Sequence, residues 1–216
     1  MAGKTVRAEQ VRETRERILS AAERLFAERG VHAVSNRQVS EAAEQGNNAA
    51  VGYHFGTKAD LVRAITRQHT ERIEQARLRM LAELDGASEL GDWVACLVRP
   101  TTEHLAASGS PTWFARFCAQ VMTDPALQDV VAEESLASPA LRQTLDGLNR
   151  CLPDLPADVH VERGAMARQL IVHTCAERER ALAEHAATSR ATWHDAATGL
   201  IDAIVGLWRA PVTPGS

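Results

Sequence analysis

The spacing of apolar residues constrains the fold of this chain most strongly, because they recur every three or four positions almost throughout. A first long helix is predicted from about Ala8 to Arg29, ended by Gly30, with one apolar face made of Ile18, Ala22, Leu25 and Phe26. Alternating runs of β-branched residues, which are typical of strands, are nearly missing. The sequence therefore predicts an all-α fold.

Composition favours a folded protein in the cytoplasm. Of the 216 residues, 45% are apolar and 24% are charged, which is ordinary for a globular chain. No stretch approaches the roughly 18 uninterrupted apolar residues of a membrane span, and the first residues lack the apolar centre of a secretory signal. No membrane partner is expected.

The four cysteines give no sign of a metal or redox site. They are Cys96, Cys118, Cys151 and Cys175, and their spacing forms no C-x-x-C pair. The eight histidines also lack the H-x-x-x-H spacing that places two imidazoles on one helical face. We therefore expect no metal and no cofactor, and we interpret the cysteines as small buried apolar residues.

Charge is distributed unevenly along the chain. Residues 1–72 carry 12 Lys and Arg against 9 Asp and Glu, and the remainder carries 12 against 19, within a formal net charge of −4. A mildly basic first part on an acidic body suits a protein that touches phosphates at one end only.

Two short helices joined by a tight turn are predicted after the first helix. Ser35 and Gln38 have the S-x-x-Q spacing of a capping box, so one helix should run from there to about Glu44. Residues 45–48 are turn formers, and a second helix is expected over 48–55. Thr57 and Asp60 then have the spacing of a cap for a longer helix. Such a pair is a helix-turn-helix, whose second helix can enter the major groove of DNA.

The residue types around the second short helix suit contact with DNA. Asn47 and Asn48 could pair with adenine edges, and Ala49 could contact a thymine methyl group. Two cations at helix starts, Arg37 and Lys58, suit phosphates or a guanine. The plainer alternatives are turn formers and solvated charges. The candidate DNA-binding residues are Ser35, Arg37, Gln38, Asn47, Asn48, Ala49, Tyr53, His54 and Lys58.

Residues 17–65 contain several motifs that occur together in one protein family. They are an I-L-x-A-A-x-x-L-F-x-x-x-G helix, a short helix with two alanines near its end, and the run from Tyr53 to Leu61 at the site of Y-x-F-x-x-K-x-x-L. This stretch resembles the DNA-binding region of the TetR family of transcriptional regulators. The turn over residues 44–48 departs from the A-G-V of many members and is one residue longer.

The resemblance implies a domain organisation and a function. It implies a three-helix helix-turn-helix domain over residues 1–56 and a larger helical domain for effector binding and dimerisation over residues 57–216. We expect a homodimer on double-stranded palindromic operator DNA, acting as a repressor that a small apolar ligand releases. One alternative is a helical ligand-binding or interaction protein that has lost DNA binding. Enzyme motifs such as G-x-S-x-G and H-E-x-x-H are missing, so no catalytic residue is expected.

Candidate residues in the second domain rest on the resemblance and on general chemistry. Large apolar side chains with a few polar anchors are typical of a ligand pocket, although the plainer alternative for each is an ordinary core. The candidates are Trp93, His104, Trp113, Phe114, Phe117, Cys118 and Met122. In this family the last two helices pack against their copies as a four-helix bundle. The implied dimer-interface residues are Leu170, Ile171, Leu200, Ile204, Leu207 and Trp208.

Overall fold

The computed structural model describes residues 2–47, 49–85 and 88–213, and the side chains from residue 6 onward. The described residues form ten helices and no strand, which confirms the all-α prediction. The helices are α1 Ala2–Arg29, α2 Asn36–Ala42, α3 Ala50–Phe55, α4 Lys58–Glu83, α5 Leu90–Ala107, α6 Phe114–Val121, α7 Pro125–Leu136, α8 Pro139–Cys151, α9 Ala157–Ala183 and α10 Trp193–Arg209.

The ends of the first helices follow the predicted local chemistry. Gly30 ends α1 in the left-handed region at φ +84°, where a residue without Cβ is unstrained. Ser35 and Gln38 form the expected capping box at the start of α2. Thr57 and Asp60 form another at the start of α4. Each cap satisfies amide groups that the first turn of a helix leaves without partners.

Helix bounds differ from the prediction at three places. Helix α2 ends at Ala42 rather than near Glu44. Helix α1 begins at Ala2 rather than near Ala8, because the preceding residues include good helix formers and no proline. Helix α3 begins at Ala50 rather than at residue 48, because the side chain of Asn47 binds the amide of Ala49 at 2.9 Å and holds a turn there.

Two apolar clusters form the core. The first joins α1 to α4 with α6 and parts of α5, α7 and α9, and it includes Phe26, Ile65 and Phe117. The second joins the end of α4 with α5, α8, α9 and α10 around Trp93 and Ile204. Because the first cluster contains residues from both sides of residue 56, the amino-terminal helices and the body share one core.

Among the described residues, no helix combines the length and apolar character that crossing a membrane requires.

Candidate nucleic-acid interface

Helices α2 and α3 are held together by buried residues on their inner faces. Val39 and Ser40 are buried on α2, and Ala50 and Val51 are buried on α3. Helix α2 ends in a turn in which Glu44 takes a positive φ of 55°, a conformation that is uncommon outside glycine. Glu44 therefore takes a left-handed conformation that ends α2 and begins the turn. The two short helices on either side of this turn form a helix-turn-helix.

The outer face of α3 is open to solvent. Tyr53 is 84% exposed, and Ala49 and Gly52 are exposed beside it. A Cβ placed on Gly52 would meet nothing within 4 Å, so the backbone itself is presented at the surface. An exposed tyrosine hydroxyl and an uncovered backbone can approach phosphates and base edges closely.

Several predicted DNA-binding residues already have partners within the chain. The amide of Ser35 donates to Gln38 Oε1 at 2.8 Å, and both side chains belong to the capping box. Arg37 is exposed and pairs with Glu41 at 2.8 Å, a surface contact of small energy that a phosphate can replace. Asn47 is exposed and binds Ala49, and Asn48 lies outside the described residues.

Lys58, which was predicted to contact a phosphate, has two hydrogen-bond partners within the chain. Its Nζ donates to the backbone carbonyl oxygens of Val31 at 2.9 Å and Val34 at 2.7 Å. Partial burial also lowers the pKa of this ammonium group. Lys58 therefore ties the loop after α1 to the start of α4.

Arg15 is a residue near this site that sequence reasoning missed. Its Nη1 donates to the backbone oxygen of His54 at 2.5 Å, and its guanidinium lies 4.3 Å from the ring centroid of Phe55. Burial, and secondarily the charge of Arg15, lower the pKa of the half-buried His54. Only the tertiary arrangement reveals this contact, because Arg15 and His54 are 39 residues apart in sequence.

The predicted ligand-pocket residues do not lie in one place. Trp93 belongs to the second apolar cluster, whereas Phe114, Phe117, Trp113 and Cys118 belong to the first. His104 is buried next to that first cluster, and Met122 is half-buried at the end of α6. Phe117 packs between Phe26 and Phe114, with ring centroids 6.4 Å apart in both pairs. Most of the predicted set thus lies on or next to α6, and Phe117 contacts α1.

A chain of polar side chains connects α1, α4 and α5 beside this aromatic group. His69 Nε2 lies 2.9 Å from Glu23 Oε2, and His69 Nδ1 lies 2.7 Å from His104 Nε2. Phe114 stacks on the His69 ring with centroids 3.8 Å apart. Burial, followed by the charges of His69 and Arg72, lowers the pKa of His104 to about 4. The chain of contacts therefore joins the first helix to the body.

A buried carboxylate fixes the start of α6. Glu179 on α9 is 2% exposed and accepts hydrogen bonds from Thr112 Oγ1 at 2.7 Å and from the amide of Arg116 at 2.9 Å. The amide of Ala115 and the Nε of Arg116 also donate to it, each at 3.2 Å. A carboxylate at a helix start is favourable because it binds free amides. Glu179 therefore locks α6 to α9.

An open groove runs beside α1. It has a volume of about 370 Å³ and is lined by Arg17, Ser20, Ala21, Arg24, Ala42, Ala43, Glu44 and Trp113. Trp113 is the only predicted pocket residue on this lining. The groove is thus a surface feature between α1 and the end of α2, at the side of the helix-turn-helix.

The predicted dimer-interface residues divide between core and surface. Leu200, Ile204 and Trp208 are buried within the protomer, because α10 packs this face against its own second cluster. They therefore offer little surface to another copy in this conformation of the protomer. Ile171 and Leu207 are half-buried, and Leu170 is exposed. Val161 and Met166 on α9 are also exposed.

The described cysteines are free thiols, and the described residues contain no group of three His, Cys, Asp or Glu side chains arranged to hold a metal ion. Burial raises the pKa of Cys96 to about 11 and that of Cys175 to about 12. These thiols are therefore protonated and unreactive at neutral pH.

The fold and the surface of α3 define a helix-turn-helix protein with a helical body. The model of the bacterial regulatory proteins of the tetR family matches residues 18–65, and the model of the tetracyclin repressor-like C-terminal domain matches residues 95–206. The chain belongs to the TetR family of bacterial transcriptional regulators, which is a class of regulators rather than of enzymes.

Solved structures share this fold at low sequence identity. GusR of Salmonella enterica is 22% identical, with 91% of this chain and 96% of that chain covered and a TM-score of 0.50. The multidrug binding protein EbrR, solved in complex with imidazole, is 21% identical, with coverages of 92% and 97% and a TM-score of 0.51. No curated protein matches the sequence.

Proposed function

We propose that this protein is a homodimeric repressor that binds a palindromic operator and is released by a small apolar ligand. The observation that carries the proposal is the outer face of α3. There, Ala49, Gly52 and Tyr53 are exposed, whereas Ala50 and Val51 are buried on the inner face of the helix-turn-helix. A cytoplasmic location follows from contact with operator DNA.

Dimerisation through α9 and α10 agrees with the exposed apolar residues of α9. Val161 is 71% exposed, and Met166 and Leu170 are exposed on the same helix, so α9 offers apolar side chains that a second copy could cover. A two-fold dimer would present two α3 helices to half-sites about 34–36 Å apart. Light scattering at micromolar concentration would give the mass of a monomer if this part were wrong.

Release by a ligand requires that the body act on the DNA-binding helices. We propose that residues 1–56 contact DNA and that residues 57–216 bind the ligand and the second protomer. The shared core supports the coupling, because Phe117 on α6 packs directly on Phe26 of α1. A ligand near α6 that favours a different α6 position would shift the population of α1 positions, and so the spacing of the two α3 helices.

Selection of bound duplexes from a random pool tests the DNA-binding part. We expect a palindrome with two half-sites, and binding that weakens steeply as salt is added. Gly52→Glu places a carboxylate on the open face of α3 and should reduce affinity by at least tenfold. Gly91→Glu is the matched control, because its Cβ also meets nothing within 4 Å but lies on α5.

The outcomes separate this proposal from its alternative. If the wild-type protein bound no duplex sequence at low ionic strength, the repressor proposal would fail. Weak binding without salt dependence would instead favour a helical ligand-binding or interaction protein that has lost DNA binding. Gel shifts of the selected operator with candidate apolar ligands then test release. Affinity left unchanged by every ligand that binds would contradict that step.

A further inference from the structure

Helix α1 is longer than the part of it that belongs to the family pattern. The family model begins at residue 18, whereas α1 begins at Ala2. Its apolar face becomes buried only at Ile18, and residues 6–13 are all exposed. We call residues 6–15 the α1 extension. At 1.5 Å per residue it is about 15 Å of helix, and it is not needed to complete the core.

The two ends of α1 lie on different parts of the molecule. Near its carboxyl end, Phe26 packs on Phe117 of α6. Just beyond that end, His32 Nε2 binds Asp124 Oδ2 at the start of α7 at 2.5 Å. At the other end, Arg15 binds the last turn of α3 through the oxygen of His54. The α1 extension therefore lies beyond the contact with α3, at the end of α1 that is remote from the body.

Charge is segregated around this projecting segment. Arg7, Val11 and Arg15 follow one another at intervals of four residues, so they share a face with the contact to α3. The carboxylates of Glu9, Glu13 and Glu16 lie on the opposite face at intervals of four and three residues.

Arg12 lies beside the acidic face, and its charge is paired with carboxylates of that face. Its guanidinium forms ion pairs with Glu9 and Glu16. The face of the α1 extension that includes Arg15 thus carries exposed Arg7 and Val11 and no carboxylate. A face with positive charge and no negative charge suits contact with a phosphate backbone.

We propose that the α1 extension binds the sugar-phosphate backbone next to the half-site that α3 occupies, with Arg7 contacting a phosphate. The inference rests on the proposed operator binding and adds a second contact surface to it. Arg7 lies eight residues before Arg15, about 12 Å further along the helix axis. That distance carries its guanidinium beyond the end of α3 and over the flanking base pairs. Exposed Val11 can lie against the deoxyribose between phosphates.

The test compares two duplexes by fluorescence anisotropy of the full-length protein over a range of salt concentrations. One duplex contains only the selected palindrome, and the other extends it by about one helical turn of DNA, roughly ten base pairs, on each side. Wild type should bind the longer duplex more tightly. On the longer duplex, Arg7→Gln should weaken binding roughly fivefold and lower the salt slope by about one for each protomer. The shorter duplex should show no such loss.

Two further variants make the test specific. Val11→Glu puts a carboxylate on the same face and should weaken binding to the longer duplex at least as much as Arg7→Gln. Arg29→Gln is the control, because it removes the same charge from the exposed far end of α1, about 33 Å from Arg7 along the axis. If wild type binds the operator but Arg7→Gln and Val11→Glu bind both duplexes as tightly, the α1 extension makes no DNA contact. If wild type binds no duplex, operator binding itself fails.

Discussion

Several side chains in this protein bind residues that are distant in sequence. Lys58 is predicted to contact phosphate from its place at a helix start, and within the chain its ammonium group binds the carbonyl oxygens of Val31 and Val34. A helix-start lysine has the same local sequence in both roles. The contact within the chain depends on a loop that ends more than twenty residues earlier, which spacing alone does not reveal.

Gly147 on α8 also depends on a residue that is distant in sequence, here through a steric requirement. A Cβ at this position would lie 2.3 Å from the ring of Trp93, and that ring is 8% exposed within the second cluster. Gly147→Ala should therefore lower the free energy of unfolding by about 1–3 kcal/mol through overpacking. Chemical denaturation measures the change.

Gly91 provides the comparison for this prediction, because a Cβ there meets nothing within 4 Å. Gly91→Ala should be neutral or stabilising by up to about 1 kcal/mol, since alanine favours a helix over glycine. Equal effects of the two substitutions would show that helix propensity, and not contact with Trp93, controls the cost at residue 147.

At the scale of elements, the sequence predicts what local chemistry decides. The capping boxes of Ser35 with Gln38 and of Thr57 with Asp60 satisfy amides within the same turn, so a short motif suffices to locate the starts of α2 and α4. The exposed face of α3 follows equally from helical spacing. The apolar faces of α10 do not, because Leu200 is covered by its own chain and the pattern cannot say which face a partner covers.

Helix α5 illustrates how a distant residue repairs a local break. Pro100 has no amide proton for the carbonyl of Cys96 four residues earlier, but α5 continues through it. The Nε of buried Arg77 on α4 donates to that carbonyl oxygen at 3.0 Å. Arg77 thus supplies the hydrogen bond that Pro100 removes, and it joins α4 to α5 at this point.

A double-mutant cycle tests this repair. Arg77→Met leaves the Cys96 carbonyl without this donor and should lower the free energy of unfolding by about 1–3 kcal/mol. In a Pro100→Ala background the restored amide can bind the carbonyl, so Arg77→Met should cost at least about 1 kcal/mol less. Denaturation of the four proteins gives the coupling energy. The same cost in both backgrounds would show that Arg77 acts through other contacts.

At the scale of the whole molecule, the two parts of the chain are joined by polar as well as apolar contacts. Glu23 on α1, His69 on α4 and His104 on α5 form one chain of contacts, and Phe114 of α6 stacks on its middle member. Movement of α6 or α5 therefore acts on α1 through these side chains as well as through Phe117. Glu179 holds the start of α6 against α9, so a change at the proposed dimer helices reaches the same point.

This chain of contacts predicts a dependence of stability on pH. The pKa of His104 is about 4 in the folded protein, below its ordinary value of 6.5, because burial disfavours the charged ring. As the pH falls from about 6.5 to about 4, His104 becomes protonated in the unfolded chain but stays neutral in the folded chain. The free energy of unfolding should therefore decrease across that window, by at most about 3 kcal/mol from this residue.

His104→Gln isolates the contribution, because glutamine can keep a hydrogen bond to His69 but does not titrate. Denaturation of both proteins between pH 7 and about pH 4 should show a smaller loss of stability in the variant as the pH falls. The variant should be less stable than wild type near pH 7, and the two should converge in acid. A constant difference across the window would mean that the folded protein takes up the proton at His104 as readily as the unfolded chain does. The contact between α4 and α5 would then not depend on a neutral ring at this position.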